Sequence, residues 1–306
     1  MDIQDTFLSP TQLSRFLASH GIQLKKGLGQ NFLVDRNVRD KMLSFADLKE
    51  DDLVVEIGAG LGTLTGTIAM KVERIVAFEK DPAIAHLLQQ RLAGVKNVEI
   101  IVGDFIETEK SFFSQFRKKI KIIGNLPYSA VSPILLHLLD LKDFWSTALV
   151  TVPEEIATRI MAGSGNRNFG FLAALLKIYT KTTRCFRLPA TVFFPRPKVE
   201  SVLLRIETLE TPAVQITNEK LFRKLLPAVF EGKRKTLRNV LSRAFSIDKT
   251  MIEGMLKNLG ISANLRSHQL TVEQIVLVID ATEKLKMRKE GRDNRQANST
   301  LFNNLI

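Results

Sequence analysis

The four residues Asn125-Leu126-Pro127-Tyr128 could carry out chemistry on a flat base. They follow an apolar run at residues 120–123, which predicts a strand, so they would stand at its carboxyl end. An amide oxygen and a backbone carbonyl could accept both hydrogens of an exocyclic amine while the aromatic ring stacks on the base. Such acceptors localise the nitrogen lone pair, which can then attack an electrophilic methyl group. The same residues are also typical of an ordinary turn after a strand.

A Gly-x-Gly-x-Gly segment at residues 58–62 follows a second apolar run and precedes a helical pattern. Glycines there let the backbone turn tightly and let a ligand lie against bare main chain. The dinucleotide-binding fingerprint places its third glycine one position later, where this chain has Thr63. The spacing therefore favours a nucleoside ligand without phosphates, such as S-adenosylmethionine. A plain strand-to-helix turn is an equally good explanation of the glycines alone.

Two carboxylates follow the next two predicted strands. Glu79 ends the apolar run 74–78 and could accept hydrogen bonds from both hydroxyls of a ribose. Asp104 follows the run 98–102 and could accept from an adenine amine, while Phe105 offers its backbone amide to the ring. Taken singly, either acid could be a solvated carboxylate or a helix cap. Because open α/β sheets bind ligands at the carboxyl ends of their strands, the four strand ends together predict one nucleoside site.

These segments resemble the KsgA-type ribosomal RNA adenine dimethyltransferases. The resemblance covers roughly residues 15–280 and is carried by residues 29–33 (Gly-Gln-Asn-Phe-Leu), 56–62, 79, 103–104, 125–128, 193–201 and 233–238. It implies an α/β fold, a seven-stranded Rossmann-like class I methyltransferase sheet with a smaller all-helical C-terminal domain, and S-adenosylmethionine as methyl donor. It also implies dimethylation of the N6 amines of two adjacent adenosines in the 3′-terminal hairpin loop of 16S rRNA, during small-subunit biogenesis.

The resemblance also assigns roles to individual residues. Asn125, Tyr128 and Phe193 would hold the target adenine, with Phe193 on its second face. The residues that would bind the cofactor are Asn31, Leu33, Gly58, Gly60, Glu79, Asp104, Phe105 and Asn125. No metal site is expected, because the four histidines are scattered without the spacing of metal ligands.

The chain departs from the family pattern at two places. Residues 152–155 are Val-Pro-Glu-Glu where many relatives carry Gln-Lys-Glu, which removes an amide and a positive charge beside the site. Residues 169–173 are Phe-Gly-Phe-Leu-Ala where relatives often have Tyr-Gly-Arg-Leu-Ser, so one expected RNA contact is missing. Neither departure affects a position that would bind the cofactor.

Composition and charge indicate a cytoplasmic protein with a polyanionic partner, and a monomer is expected because nothing in the sequence suggests an obligate dimer. The 306 residues suffice for two domains. The chain has no apolar run of membrane-spanning length, and residues 1–5 lack the apolar core of a signal peptide. The single cysteine, Cys185, is expected to be a buried structural thiol. A net charge of +12 favours a polyanionic partner, which the resemblance identifies as 16S rRNA within a small-subunit precursor.

The basic residues concentrate in the second part of the chain. Residues 220–243 contain eight basic residues and one acid, Glu231. Such a run is usually a solvated helix face, but its dense self-repulsion favours contact with a phosphate backbone. The predicted RNA-binding residues are Lys233, Arg234, Lys235 and Arg238. Contacts of this kind position RNA without reading its sequence.

The pattern along the chain predicts a methyltransferase domain at 1–206, a linker at 207–218, a helical RNA-binding domain at 219–286 and a basic disordered tail at 287–306. Strands and helices alternate from 53 to 152, which is typical of a doubly wound parallel sheet. A hairpin of residues 182–188 and 201–207 would close the sheet. Helices are predicted at 219–230, 235–245, 249–259 and 272–284.

Three other functions compete with this interpretation. An antibiotic-resistance methylase of large-subunit rRNA shares the fold and an Asn-x-Pro-Tyr site, but residues 29–33 and the long basic C-terminal part favour the small-subunit enzyme. A non-catalytic RNA-binding assembly factor is disfavoured by Glu79, Asp104 and Asn125. A dinucleotide-dependent oxidoreductase is disfavoured by Thr63.

Overall fold

The computed structural model describes residues 9–25, 27, 29–232 and 234–303. The chain divides into two compact units. The first comprises Met1–Thr158 and Tyr179–Thr211, and the second comprises Arg159–Ile178 and Pro212–Ile306. The sequence predicts a domain boundary at residue 206, and the last division between the units falls between Thr211 and Pro212. The second unit also takes in residues 159–178, which the sequence places in the methyltransferase domain.

Nine strands form two sheets in the described part of the first unit. They are β1 (Phe32–Leu33), β2 (Leu53–Ile57), β3 (Arg74–Glu79), β4 (Val98–Val102), β5 (Ile120–Asn125), β6 (Trp145–Pro153), β7 (Thr180–Leu188), β8 (Phe193–Phe194) and β9 (Ser201–Thr208). Seven of them form a sheet in the order β4-β3-β2-β5-β6-β9-β7, and β1 pairs with β8. The strands from β4 to β6 pair in parallel, whereas β9 is antiparallel to both neighbours. The predicted seven-stranded α/β fold is confirmed.

Helices precede, connect and follow the parallel strands. They are α1 (Pro10–Ser19), α2 (Arg36–Ser44), α3 (Thr65–Ala69), α4 (Pro82–Arg91), α5 (Lys110–Phe113), α6 (Val131–Asp140) and α7 (Glu154–Met161), the last of which crosses the boundary between the units. Polar caps fix several starts: Ser9 and Gln12 form a capping box on α1, and Asp81 accepts a hydrogen bond from Ala83 N at 3.1 Å to begin α4.

Strand register brings the polar residues to one edge of the sheet. Every residue of β2 is buried, as expected for a central parallel strand covered on both faces. Ile57 lies beside Gly124, Asn125 beside Thr151, and Glu79 beside Val102. The carboxyl ends of four parallel strands are thus aligned, and the residues that follow them meet.

The two-stranded ladder joins distant parts of the chain. Phe32 pairs with Phe194, and Leu33 pairs with Phe193. Leu33 and Phe193 are buried and belong to the same apolar core as residues of β2 and β5. The ladder therefore fixes the amino-terminal segment against the main sheet's core.

The second unit is helical. Its helices are α8 (Phe171–Tyr179), whose last residue falls in the first unit, α9 (Glu219–Val229), α10 (Leu237–Phe245), α11 (Lys249–Asn258) and α12 (Val272–Asn303). Asn218 caps α9, because its side-chain oxygen accepts a hydrogen bond from Leu221 N at 3.1 Å. None of the helices in the described part of the chain combines the length and apolarity that a membrane crossing requires.

The tail differs from its prediction. Residues 287–303 continue α12, whereas the sequence predicts disorder from 287 onward. The segment contains no proline that would end the helix begun at Val272. Residues 304–306 of the predicted tail lie outside the described residues.

Candidate active site

The carboxyl ends of β2, β3, β4 and β5 surround a cavity. Its lining includes all the residues predicted to bind the cofactor, namely Asn31, Leu33, Gly58, Gly60, Glu79, Asp104, Phe105 and Asn125. Asn31 and Asn125 lie 94 positions apart in the chain and are joined by a hydrogen bond at this cavity. Whether these residues bind a methyl donor depends on their chemistry.

Gly60 and Glu79 form the floor of the cavity. Gly60 has φ +56°, and a Cβ there would lie 3.0 Å from the Phe32 ring, so glycine is required by both conformation and space. Its amide donates to Glu79 Oε2 at 2.8 Å, and the amide of Asp81 donates to Glu79 Oε1 at 2.9 Å. Burial raises the pKa of Glu79, and these backbone hydrogen bonds oppose that effect. The carboxylate is held in place, and its remaining lone pairs are available to a ligand.

Glu56 is a second buried carboxyl group in the lining. It is 1% exposed, and its Oε2 has no hydrogen-bond partner within the described chain. Burial raises the pKa of Glu56 to about 8, and the charge of Glu79 acts in the same direction. An unpartnered buried carboxyl oxygen is costly unless something else satisfies it, so this atom is a natural partner for a ligand that donates hydrogen bonds.

Asp104 makes two contacts of its own. Its Oδ1 accepts from Ile106 N at 3.2 Å, and its Oδ2 lies 2.6 Å from Lys80 Nζ. Lys80 also lines the cavity. Phe105 is buried and packs edge-on against Phe78 with ring centroids 5.5 Å apart, which supports the wall beside Asp104.

The carboxamide of Asn125 has a defined orientation. Its Nδ2 donates to the backbone oxygen of Asn31 at 2.6 Å, and its Oδ1 accepts from the hydroxyl of Thr151 at 2.5 Å. Each amide oxygen has two lone pairs, so Oδ1 retains one for a further donor. The predicted acceptor therefore lines the cavity and is ready to bind an amine hydrogen.

The other two residues predicted to hold the base are placed differently. Tyr128 is half-buried and is not part of the cavity lining, although Pro127 and Ser129 are. Its hydroxyl lies 2.5 Å from Ser201 Oγ. Phe193 is only 3% exposed and packs in the apolar core, so its ring offers no open face to a base. The structure brings Asn125, but not Phe193, to the cavity.

The loop before β1 is anchored by a buried carboxylate. Gln30 Nε2 donates to Asp81 Oδ2 at 3.2 Å, and Lys25 Nζ lies 3.1 Å from the same oxygen. Gln30 also lines the cavity. The loop is thus fixed on one side by Asp81 and on the other by the Asn31–Asn125 hydrogen bond.

The basic residues lie in the second unit. Arg234 and Lys235 are exposed, and Lys233 lies outside the described residues. Arg238 is half-buried and paired with Glu253 at 3.1 Å, so it is a weaker candidate for RNA contact than the sequence suggests. A shallow depression on this unit is lined by Lys235, Asn239, Ser242, Arg243 and Lys249. Its three cations form no ion pair with another described residue.

Sequence reasoning missed several residues of these two sites. Glu56 could have been found as a charge inside an apolar strand, and Thr151 as a hydroxyl at the end of a similar strand. Lys80 directly follows Glu79, a predicted cofactor-binding residue. Arg243 ends the basic run 220–243 and lies on α10, whereas Lys235 precedes that helix. Among the described residues, no group of three or more His, Cys, Asp or Glu side chains is arranged to hold a metal ion.

Comparison with known proteins agrees with this geometry. The family model described as ribosomal RNA adenine dimethylase matches residues 21–284. The "Ribosomal RNA small subunit methyltransferase A" of Halothermothrix orenii is 32% identical over 94% of this chain and 97% of its own. The protein of the same name from Pelotomaculum thermopropionicum is 35% identical over 89% and 96%.

Solved structures show the same fold. A dimethyladenosine transferase from Plasmodium falciparum has a TM-score of 0.69 and 24% identity, covering 84% of this chain and 97% of its own. The 23S rRNA methyltransferase ErmE has a TM-score of 0.61 and 22% identity, covering 82% and 99%. The chain therefore belongs to the ribosomal RNA adenine dimethylase family and is a methyltransferase that acts on adenine in ribosomal RNA.

Proposed function

We propose that this enzyme dimethylates the N6 amines of two adjacent adenosines in the 3′-terminal hairpin loop of 16S rRNA, with S-adenosylmethionine as donor. Its substrate is a precursor of the small ribosomal subunit in the cytoplasm, and it acts as a monomer. The names of its relatives, which specify the small subunit, support this choice over the large-subunit reaction in the name of the structural neighbour ErmE.

The chemistry of the cavity supports this donor. Glu56, Glu79 and Asp104 line it, and Lys80 is already paired with Asp104. The carboxylates of Glu79 and Asp104 disfavour the phosphates of a dinucleotide, and the carboxyl group of Glu56 offers a hydrogen-bonding partner to the polar groups of a nucleoside ligand. Glu79 would bind the ribose, Asp104 the adenine, and Glu56 would face the amino-acid portion.

The observation that carries the proposal is that Asn125 lines this cavity and that hydrogen bonds hold its carboxamide at both ends. When bound, S-adenosylmethionine supplies a methyl carbon whose bond to sulfur breaks as the adenine nitrogen bonds to it, leaving S-adenosylhomocysteine and a proton that passes to water. Asn125 accepts an amine hydrogen and orients the lone pair. Most of the rate gain comes from positioning, so no strong base is required.

The RNA would bind through cations of the second unit. Lys235, Arg243 and Lys249 around the depression are exposed, and each can neutralise one phosphate. Ser242 and Asn239 add hydrogen-bond donors. This surface would hold the backbone of the hairpin's stem, while its loop presents an unpaired base.

Methylation of two hairpin transcripts tests the proposal. We expect transfer to the 16S 3′-terminal hairpin and not to a 23S hairpin of equal length, with both methylated adenosines located by mass spectrometry. Asn125→Ala should abolish transfer while leaving RNA binding intact. Modification of the 23S hairpin alone would contradict the proposed substrate. Binding of RNA with no binding of S-adenosylmethionine would favour the non-catalytic assembly factor.

A further inference from the structure

Thr151 is a polar residue in an apolar strand. It lies near the end of β6, is 0% exposed, and is flanked by Val150 and Val152, which are also fully buried. Burying a hydroxyl costs free energy unless it forms a hydrogen bond, and valine has nearly the same shape without that cost. The hydroxyl therefore needs a specific partner at this position.

That partner is the residue that faces the substrate. In the parallel pairing of β5 and β6, Asn125 and Thr151 are directly adjacent, and Thr151 Oγ1 donates to Asn125 Oδ1 at 2.5 Å. We propose that Thr151 is a positioning residue for methyl transfer, because its hydroxyl holds the carboxamide of Asn125 with one oxygen lone pair directed at the cavity. The inference rests on the proposed function of Asn125 as acceptor of the adenine amine.

The two anchors of the carboxamide have different roles. The terminal torsion of an asparagine side chain is soft, so the plane of the amide is set by its hydrogen bonds rather than by its rotamer. The backbone oxygen of Asn31 accepts only and therefore determines which end of the amide is nitrogen. Thr151 belongs to the main sheet, so it holds the oxygen end independently of the loop before β1.

Removal of the hydroxyl should affect turnover rather than binding. In Thr151→Val the oxygen of Asn125 loses one donor, and the amide can rotate away from the orientation that accepts the amine hydrogen. We expect kcat to fall about tenfold, the effect of losing one hydrogen bond of ordinary strength. KM for RNA and the Kd of S-adenosylhomocysteine should stay within about twofold of wild type, because other residues supply most of the contacts to each molecule.

Matched variants separate positioning from packing. Thr151→Ser keeps the hydroxyl but loses a buried methyl group, so it should lose stability in urea yet retain most of the wild-type kcat. Thr151→Ala also lacks the hydroxyl and should show the same fall in kcat as Thr151→Val. The alanine variant therefore controls for any disturbance of the strand that valine itself causes. Thr147→Val, on the same strand and also buried, should turn over normally.

The assay measures methylation of total rRNA without dimethyladenosine, followed by mapping of the modified bases. If the wild-type enzyme methylates an adenosine outside the proposed hairpin, the proposed substrate is wrong. The comparison of kcat between wild type and the Thr151 variants would remain valid at that adenosine. A kcat for Thr151→Val equal to wild type, or a serine variant as slow as the valine variant, would overturn the proposal. Low kcat in valine and alanine with rescue by serine would establish it.

Discussion

Replacement of Glu56 by Gln should change how the stability of this protein depends on pH. Burial raises the pKa of Glu56 from an ordinary value of 4.5 to about 8. Because the folded pKa is the higher one, the folded protein keeps a proton that the unfolded chain loses between pH 4.5 and 8. The free energy of unfolding therefore falls as pH rises through this window. A glutamine is neutral throughout and removes that dependence.

The magnitude follows from linkage. Within the window, one retained proton changes the free energy of unfolding by about 1.4 kcal/mol per pH unit. The measured quantity is the free energy of unfolding of Glu56→Gln minus that of wild type, obtained from urea unfolding. This difference should change by at most about 2.7 kcal/mol between two pH values about two units apart. The variant gains relative to wild type at the higher pH. Subtracting the two free energies of unfolding removes the contributions of most other titrating groups, since both proteins contain them.

The experiment is made without ligand, so that binding does not contribute. Glu50→Gln provides the control, because Glu50 is exposed. Its replacement should change the free energy of unfolding by the same amount at both pH values. If the difference between wild type and Glu56→Gln is the same at both pH values, then Glu56 is ionised in the folded protein and the argument from burial is wrong.

Three other substitutions test the site, the sheet and the basic surface. Glu79→Gln should weaken binding of S-adenosylhomocysteine by about ten- to a hundredfold in calorimetry, since a charged acceptor is lost; an unchanged Kd would exclude the ribose role. Gly124→Ala should lower the free energy of unfolding by about 1–3 kcal/mol in urea, because its Cβ would lie 2.9 Å from the backbone oxygen of Ile57, whereas Gly254→Ala, in open space, should not. Arg243→Glu should weaken RNA binding and reduce its dependence on salt, and an unchanged slope would exclude this surface.

The parallel sheet was predictable because its signals are local. Apolar runs followed by glycine or a carboxylate indicate buried strands whose carboxyl ends meet, and β2, β3, β4 and β5 follow that pattern. Gly58, Gly60, Glu79, Asp104, Phe105 and Asn125 share one cavity for the same reason, whereas Asn31 and Leu33 belong to the segment held by the β1–β8 ladder. Parallel strands place whatever follows them at a common edge, so knowledge of the strands alone suffices.

The remaining features depend on contacts that sequence does not display. Phe193 precedes an exposed loop, yet pairing with Leu33 draws it into the core. Arg238 lies in the basic run, but Glu253 on the next helix binds it. The hydrogen bond from Thr151 to Asn125 requires β6 to lie beside β5 in one particular register. Each is set by a long-range pairing, and such pairings are where pattern reasoning is weakest.

The short ladder between β1 and β8 has a consequence for the synthesis of the chain. Phe32 and Leu33 form part of the cavity wall, and their strand partners are Phe194 and Phe193. A nascent polypeptide cannot complete that wall until some 190 residues have been translated and have left the exit tunnel. Binding of the methyl donor is therefore a late event in biosynthesis. Fragments that terminate earlier would contain the glycine segment of the cavity but not the paired β1 and β8 strands that complete its wall.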